Sequence, residues 1–377
     1  MADISKSFTP YTMKRVSVKN RYVRSAGQTF LGNTDGTLSE KDFAYYQALM
    51  DGGVGLIILG HAYVDAKYGK ASDRQASFAD DSVLPQYRRI AEMAKKTNTR
   101  VFGQISHTGG RSTVLKEHIC PSASELRAGL FSREMSLDEI RDVVRYFAEA
   151  ARRVKDAGLD GVELHAAHLY LLSQFATPAI NRRTDDYGGS AEGRFRIIRE
   201  IIGSIRETCG PDFPIAIKVN CNAPLGLDGF AVAPDKNTAL NKYAPKRYDE
   251  CYWDDICYVV QELDKLDLEF IEVSGYDFLD WKKNEHCFYV NYAEKLLGLV
   301  KNTTLFPVGG ITTPEDVESV LSKGFEMISM CRAFHTQSDI LERFKAGEGS
   351  RCIHCNRCFA VPYSDNKCCV FHERGEA

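Results

Sequence analysis

The sequence predicts an α/β protein, a (β/α)8 TIM barrel with loop inserts and a Cys-rich C-terminal tail. Eight short apolar runs rich in β-branched residues recur along the chain, and segments with helical patterns separate them. The chain has 377 residues, and such a barrel typically needs about 250, so the surplus falls in loops. A doubly wound open sheet is the alternative that the same alternation permits.

The candidate strands and two helix boundaries support this fold. One helix is predicted to begin after Ser136, with Glu139 completing a capping box, and to end at Gly158. Another is predicted to begin after Thr313, with a proline in its first turn, and to end near Gly324. The candidate strands are residues 22–27, 55–60, 100–105, 160–165, 214–220, 269–275, 305–310 and 326–331.

Residues beyond the needs of a barrel fall in three places: 107–135, 222–250 and the segment after 345. No repeat and no low-complexity linker divides the chain. We therefore expect a barrel domain at 1–345 and a Cys-rich C-terminal extension at 346–377 packed on it. The first two inserts would select the substrate, but their sequences have no pattern that names one.

Composition and charge exclude several classes of protein. The chain carries 48 Lys and Arg against 51 Asp and Glu, a net charge of −3, and it contains no basic run. Nucleic acid and anionic membranes are therefore poor partner candidates. The N-terminus lacks the apolar core of a signal peptide, and no apolar run is long enough to span a bilayer. We expect a cytoplasmic protein with no nucleic-acid or membrane partner.

Polar residues follow the predicted strands at the end where barrels carry their chemistry. After strand seven, Gly309 and Gly310 can bring backbone amides close to a ligand, and Arg332 follows strand eight. This arrangement is typical of a phosphate site. Lys218 lies within an apolar strand, where it suits a Schiff base, a salt bridge or an electrostatic partner for a cofactor that gains negative charge. The amide of Gln104 suits the edge of a heterocycle.

Two imidazoles and a phenol follow the fourth strand in the sequence "HAAHLY". His165 and His168 can donate hydrogen bonds to one carbonyl oxygen and stabilise negative charge there, and Tyr170 can deliver a proton. A metal site is an alternative, but His-x-x-His without a third ligand close by is incomplete. Another alternative is that these three polar residues have only a structural role at the rim of the barrel.

Residues 165–196, "HAAHLYLLSQFATPAINRRTDDYGGSAEGRFR", resemble the signature of the Old Yellow Enzyme family of FMN-dependent oxidoreductases. The resemblance covers nearly the whole chain, including "GQISHTGGR" and "FPVGGITTPED". It implies FMN over the barrel mouth, NADH or NADPH as reductant, and ene-reductase activity on an activated C=C bond such as an α,β-unsaturated carbonyl. Hydride would come from flavin N5.

The resemblance also implies roles for individual residues. His165 and His168 would hold the substrate's carbonyl oxygen, and Tyr170 would protonate the carbon opposite the hydride. Lys218 would lie near N1 and O2 of the flavin. The implied cofactor-binding residues are Ser25, Ala26, Gly60, Gln104, Lys218, Gly309, Gly310, Cys331 and Arg332.

Four positions depart from the family pattern. The first strand ends in the residues Ala, Gly and Gln at 26–28, which leaves its tuning of the flavin in doubt. "HTGGR" has one residue more than the usual His-x-Gly-Arg, which blurs the role of Arg111. Leu169 replaces the usual glycine beside Tyr170, and Cys331 replaces a glycine at the phosphate loop.

The tail "RCIHCNRCFAVPYSDNKCC" resembles the segment that binds a [4Fe–4S] cluster in the 2,4-dienoyl-CoA reductase and trimethylamine dehydrogenase branch. The chain is therefore expected to be most similar to single-barrel relatives of that branch. Zinc would accept the same thiolates, and an unmetallated remnant is the third alternative. The expected ligands are Cys352, Cys355, Cys358 and Cys368, with Cys369 as the other candidate for the fourth.

Three other functions stay open from the sequence. One is a dehydrogenase or demethylase that passes electrons through the iron–sulfur cluster, and another is a phosphate-binding lyase that uses Lys218 as a Schiff base. The third is a flavin-binding protein without turnover. The expected partners are a small unsaturated substrate, a second copy of the chain in a homo-oligomer and, in one alternative, a separate electron-transfer protein.

Overall fold

A parallel β-barrel surrounded by helices forms the body of the protein. The structure, a computed structural model, describes residues 2–127, 129–222, 252–276, 285–360 and 369. The eight predicted strands are all present, which confirms the predicted fold class. In chain order they are β1 (Tyr22–Arg24), β2 (Leu56–Ile58), β3 (Arg100–Ser106), β4 (Gly161–Ala166), β5 (Ile215–Asn220), β6 (Phe270–Ser274), β7 (Thr304–Pro307) and β8 (Ile328–Met330).

The strands follow one another around the barrel wall in chain order, and every pair is parallel. Strand β8 returns to β1, where Met330 pairs with Arg24. Between β7 and β8 the described contact is a single bridge, Val308 with Ser329. The barrel is therefore nearly closed, with its weakest joint between its last two strands.

Helices cover the outside of the barrel. The predicted capping box of Ser136 with Glu139 is present at the start of one helix. The predicted cap Thr313 is also present, and it forms a second box with Asp316 at the start of another helix. Each box satisfies two backbone donors that the first helical turn leaves unpaired. The helices are α1 (Glu40–Asp51), α2 (Leu84–Thr97), α3 (Leu137–Asp156), α4 (Leu171–Ala176), α5 (Ala191–Cys209), α6 (Trp253–Asp264), α7 (Val290–Leu297), α8 (Pro314–Ser322), α9 (Arg332–Thr336), α10 (Ile340–Lys345) and α11 (Arg357–Ala360).

Apolar side chains fill the amino-terminal half of the barrel interior. Phe102, Phe270 and Phe306 pack there, below a short hairpin of Tyr11–Thr12 and Ser17–Val18. Burying one such ring contributes on the order of 1.5–3 kcal/mol. The amino-terminal half is therefore closed to a ligand. Only the half at the carboxyl end of the strands can accept one.

The insert after β3 has a small sheet of its own, made of His118–Cys120, Ser124–Arg127 and Leu130–Glu134. The second predicted insert, 222–250, lies outside the described residues except for Asn222. Across the described part of the chain, no helix combines the length and apolarity needed to cross a membrane.

Candidate functional site

A cavity of about 390 Å³ opens at the carboxyl end of the barrel. Its size is typical of a small-molecule or cofactor site. Gly60 does not line it: its amide donates to the Tyr46 hydroxyl at 3.1 Å. The other predicted catalytic and cofactor residues all line the cavity, namely Ser25, Ala26, Gln104, His165, His168, Tyr170, Lys218, Gly309, Gly310, Cys331 and Arg332.

Lys218, which lines the cavity, belongs to a buried ion pair. Lys218 on β5 and Glu272 on β6 are cross-strand neighbours, and their Nζ and Oε2 atoms lie 2.7 Å apart. The ammonium also donates to the Ser25 hydroxyl at 2.9 Å. Burial would lower the pKa of Lys218, but the acidic groups of Glu272 and then Glu163 outweigh it and hold that pKa above its ordinary value. The lysine is therefore a fixed cation.

A second buried carboxyl group lies beside this pair. Gln104 on β3 donates through Nε2 to Glu163 on β4. Burial raises the pKa of Glu163 well above its ordinary value; Lys218 opposes that rise and Glu272 adds to it. Sequence reasoning missed both acidic residues. The available signal was alternation along β4, which places Glu163 on the same side of the strand as His165.

The structure brings the predicted imidazoles and phenol together. The ring centroid of His165 lies 5.1 Å from that of His168 and 4.7 Å from that of Tyr170. Burial lowers the pKa of both histidines, so both are neutral at neutral pH. The Ala167 amide donates to His165 Nδ1 at 3.3 Å, which leaves the ring proton of His165 on Nε2. Neutral imidazoles that line a cavity can donate hydrogen bonds to a ligand oxygen.

A third histidine, His61, belongs to the same cluster although sequence reasoning missed it. Its ring centroid lies 4.8 Å from that of Tyr170 and 5.6 Å from that of His165. His61 follows β2 by three residues and lines the cavity. Its position just after a predicted strand was the signal that could have found it.

Arg111 helps to shape the wall beside Tyr170. It donates through Nη1 to the backbone carbonyl of His168, and its guanidinium carbon lies 5.8 Å from the centroid of the Tyr170 ring. The additional glycine in "HTGGR" therefore does not remove Arg111 from the cavity. His168 and Leu169 both have positive φ, at 57° and 59°. Two consecutive non-glycine residues in this region are uncommon and cost conformational energy.

Glycine backbone and Arg332 form the other end of the cavity. Gly310 has φ of 69°, and a Cβ there would approach Phe288 Cε1 to 2.4 Å. Arg332 donates to Asn356 Oδ1 at 2.7 Å. Close backbone and a guanidinium suit an anion such as phosphate, while Lys218 and Gln104 suit a polar ring edge. The residues present fit FMN in both charge and cavity size.

Cys331 lies between the phosphate end and the first strand. Its Sγ lies 3.8 Å from the Ala26 carbonyl oxygen. A Cβ added to Gly27 would come within 2.5 Å of the same sulfur. The side chain that replaces the usual glycine is thus accommodated because residue 27 has no side chain.

The described part of the cysteine segment does not make up a metal site. Cys352, Cys355, Cys358 and Cys369 line one small cavity of about 20 Å³. Among the described residues, no group of three or more His, Cys, Asp or Glu is arranged to hold a metal ion. The fourth predicted ligand, Cys368, lies outside the described residues. Burial raises the pKa of Cys352 and Cys358.

Comparison with known proteins agrees with this geometry. The NADH:flavin oxidoreductase / NADH oxidase family matches residues 6–350. A Thermoanaerobacter brockii NADH oxidase is 31% identical over 371 residues, covering 94% of this chain and 54% of that protein. The chain therefore spans about half the length of this relative. A Bacillus subtilis (strain 168) NADPH dehydrogenase is 34% identical, covering 60% of this chain and 69% of that protein.

A solved structure with a similar fold is morphinone reductase, with a TM-score of 0.75 and 22% identity. The match covers 91% of this chain and 90% of that chain. At this level of identity the match shows a common fold. That fold agrees with the barrel described above.

Proposed function

Because the chain belongs to the NADH:flavin oxidoreductase / NADH oxidase family, we propose that it uses FMN and NAD(P)H to reduce an activated C=C bond. The observation that carries the proposal is one cavity with two chemically different ends. The rings of His165, His168 and Tyr170 cluster at one end, and Arg332 with glycine backbone forms the other. The first end suits an electron-poor substrate and the second a phosphate.

The residues that would hold FMN fall into two groups. Gly309, Gly310, Cys331 and Arg332 would contact the phosphate, and Ser25, Gln104 and Lys218 the polar edge of the ring. FMN, when bound, supplies hydride transfer from NAD(P)H to the substrate's C=C bond. The Lys218 ammonium, held in place by Glu272, would stabilise negative charge at that edge.

His165 and His168 would bind the oxygen of the substrate's activating group. Because both rings are neutral, each offers a proton on one nitrogen. Two such donors stabilise the negative charge that develops on that oxygen as hydride reaches the β-carbon. An α,β-unsaturated carbonyl meets this requirement, since its oxygen is conjugated with the C=C bond.

Tyr170 would complete the reduction as the acid. Burial raises its pKa above the ordinary value, so the phenol is protonated at neutral pH. It would transfer this proton to the α-carbon, leaving a phenolate that regains a proton from water. One hydride and one proton thus saturate the double bond, and NAD(P)H becomes NAD(P)+.

Tyr170→Phe tests this proposal. The variant should slow the reaction of the reduced protein with an alkene substrate such as 2-cyclohexenone by about 10²–10⁴. Flavin reduction by NAD(P)H should be unchanged because no acid is needed there. Stopped-flow absorbance of the flavin measures the two half-reactions separately. Tyr146→Phe, on the outer helix α3, is the control. Equal slowing of both half-reactions, or no slowing, would contradict the proposal.

The lyase alternative is disfavoured by the ion pair. A Schiff base needs a neutral amine as nucleophile, whereas Glu272 holds Lys218 as an ammonium ion. The cysteine segment remains a separate proposal, with Cys352, Cys355, Cys358 and either Cys368 or Cys369 around a [4Fe–4S] cluster. No step of the proposed reaction depends on that cluster.

A further inference from the structure

His61 is a buried histidine of the cavity that the roles described so far leave unused. It lies three residues after β2, and its Nε2 is 3.4 Å from the Tyr170 hydroxyl oxygen. This distance is near the long limit for a hydrogen bond. What His61 does to the phenol depends on which of its two nitrogens carries the ring proton.

The neighbours of His61 fix that proton. The Ala71 backbone amide donates to Gln75 Oε1 at 2.6 Å, so the amide nitrogen of Gln75 faces the other way. That nitrogen donates to His61 Nδ1 at 2.8 Å. The Ser106 hydroxyl lies 3.0 Å from the same ring nitrogen. Nδ1 is thus an acceptor, and the proton of the neutral ring is on Nε2.

Burial keeps the ring neutral. It lowers the pKa of His61 to about 3, helped by the positive charges of Lys218 and Arg111. A neutral ring with its proton on Nε2 donates to the Tyr170 oxygen and accepts nothing from it. The phenol proton therefore stays available to the substrate instead of being held by His61.

We propose that His61 is a positioning residue for proton transfer from Tyr170, with Gln75 fixing its tautomer. The Nε2–H stabilises the phenolate that remains after the phenol has given its proton to the α-carbon. The oxygen then regains a proton from water. This inference rests on the proposed role of Tyr170 as the acid.

The other groups around Tyr170 do not replace this contact. His165 packs against its ring and is neutral. Burial raises the pKa of Tyr170 and Arg111 opposes that rise, but the guanidinium carbon of Arg111 is 5.8 Å from the ring centroid. Lys218 also lines the cavity, and Glu272 pairs with it. His61 is the described neighbour with a ring nitrogen within hydrogen-bond distance of the phenol oxygen.

Ionisation of Tyr170 is the quantity to measure. The near-ultraviolet difference absorbance between each protein and its Tyr170→Phe counterpart reports this one phenolate during a pH titration. His61→Leu removes the donor and should raise the midpoint by about one pH unit, a tenfold change in the equilibrium. His61→Gln keeps an N–H at a similar reach, so its midpoint should stay near that of the unchanged protein.

Gln75→Leu keeps His61 but removes the group that fixes its tautomer. The ring proton can then move to Nδ1, and the midpoint should rise by less than in His61→Leu because the Ser106 hydroxyl remains. The half-reaction with alkene should slow about tenfold in His61→Leu, and its alkaline limb should move to higher pH. A residue that merely packs the site would slow turnover without this movement.

The outcomes separate the two proposals. A midpoint that is unchanged or lowered in both His61→Leu and Gln75→Leu overturns the role of His61, whatever the activity. A His61→Gln variant that shifts as far as His61→Leu also overturns it. If Tyr170→Phe reduces alkene at the normal rate, the proposed function fails while the titration stays readable. If His61→Leu does not fold, the titration midpoints of His61→Gln and Gln75→Leu decide the question.

Discussion

The buried ion pair of Lys218 and Glu272 allows a direct test of how much an unpaired buried charge destabilises the barrel. Lys218→Met keeps the length of the side chain but removes the ammonium that lies 2.7 Å from Glu272. Glu272 is fully buried, at 0% exposure, so its carboxylate cannot regain water in place of the lysine. Breaking one half of a buried pair in this way costs about 3–5 kcal/mol of unfolding free energy.

The loss should depend on pH because Glu163 is nearby. Its pKa in the folded protein is raised by burial, and Lys218 opposes that rise. Without the lysine the pKa rises further. The folded protein then keeps a proton that the unfolded chain releases above about pH 4.3, so stability falls as pH increases toward the folded pKa. The unchanged protein also keeps this proton up to its own folded pKa of about 8, so the extra loss caused by the substitution appears only above that value. We therefore expect a smaller loss at about pH 7 than at about pH 9.

Urea unfolding of the FMN-free protein at the two pH values measures this. Cofactor is left out because bound FMN adds to folded-state stability, and Lys218 is one of the residues proposed to hold it. Lys323→Met is the matched control, since Lys323 pairs with Glu294 at the surface and should lose less than about 1 kcal/mol. The double variant Lys218→Met/Glu272→Gln should recover much of the loss. The reasoning is refuted if Lys218→Met costs no more than the control, or costs the same at both pH values.

Two further predictions concern the phosphate end and the tail. Gly310→Ala places a Cβ 2.4 Å from Phe288 at positive φ. The control is Gly53→Ala, whose Cβ meets nothing within 4 Å at φ of 86°. We expect Gly310→Ala to cost about 1–3 kcal/mol more unfolding free energy than this control and to weaken FMN retention. Equal costs by urea unfolding would contradict the predicted close approach. If the cysteine segment binds a [4Fe–4S] cluster, anaerobic preparations should contain about four iron atoms per chain. Zinc or no metal by elemental analysis would contradict it.

Most of the barrel could be predicted from the sequence because its strands are local signals. Runs such as 160–165 and 214–220 are apolar and β-branched, and they match β4 and β5 within a residue at each end. The predicted strands 22–27 and 55–60 are longer than β1 and β2, and residues 25–27 line the cavity beyond the end of β1. The end of a strand depends on where its neighbours stop pairing with it, which apolar patterning does not record.

The sheet at His118–Glu134 could not be predicted because its strands are short and polar. Ser124–Arg127 has only four residues, and its pairing with Leu130–Glu134 contains an irregular register. The formation of such strands depends on their surroundings more than on their own composition. The sequence signal was therefore weak at the place where the substrate would be selected.

The site residues that are close together in the sequence could be predicted. Those that come together only in the folded barrel were missed. His165, His168 and Tyr170 are neighbours in the chain, but His61 is 109 positions from Tyr170. The three roles left open for Lys218 could be narrowed only by its cross-strand partner, Glu272. That partner is set by strand register, and register depends on the whole barrel.

The single bridge between β7 and β8 has a consequence for the order of assembly during synthesis. Of the eight barrel strands, β8 leaves the ribosome last, and until it docks, β1 and β7 both present unpaired edges. It docks along β1 through three registered pairs but meets β7 at one position. The segments that follow β7 and β8 line the same cavity. A ligand bound between them would therefore stabilise the contact between these two strands, where the backbone makes a single described bridge. Cofactor supply during expression would then govern the yield of closed barrels as well as the activity of finished ones.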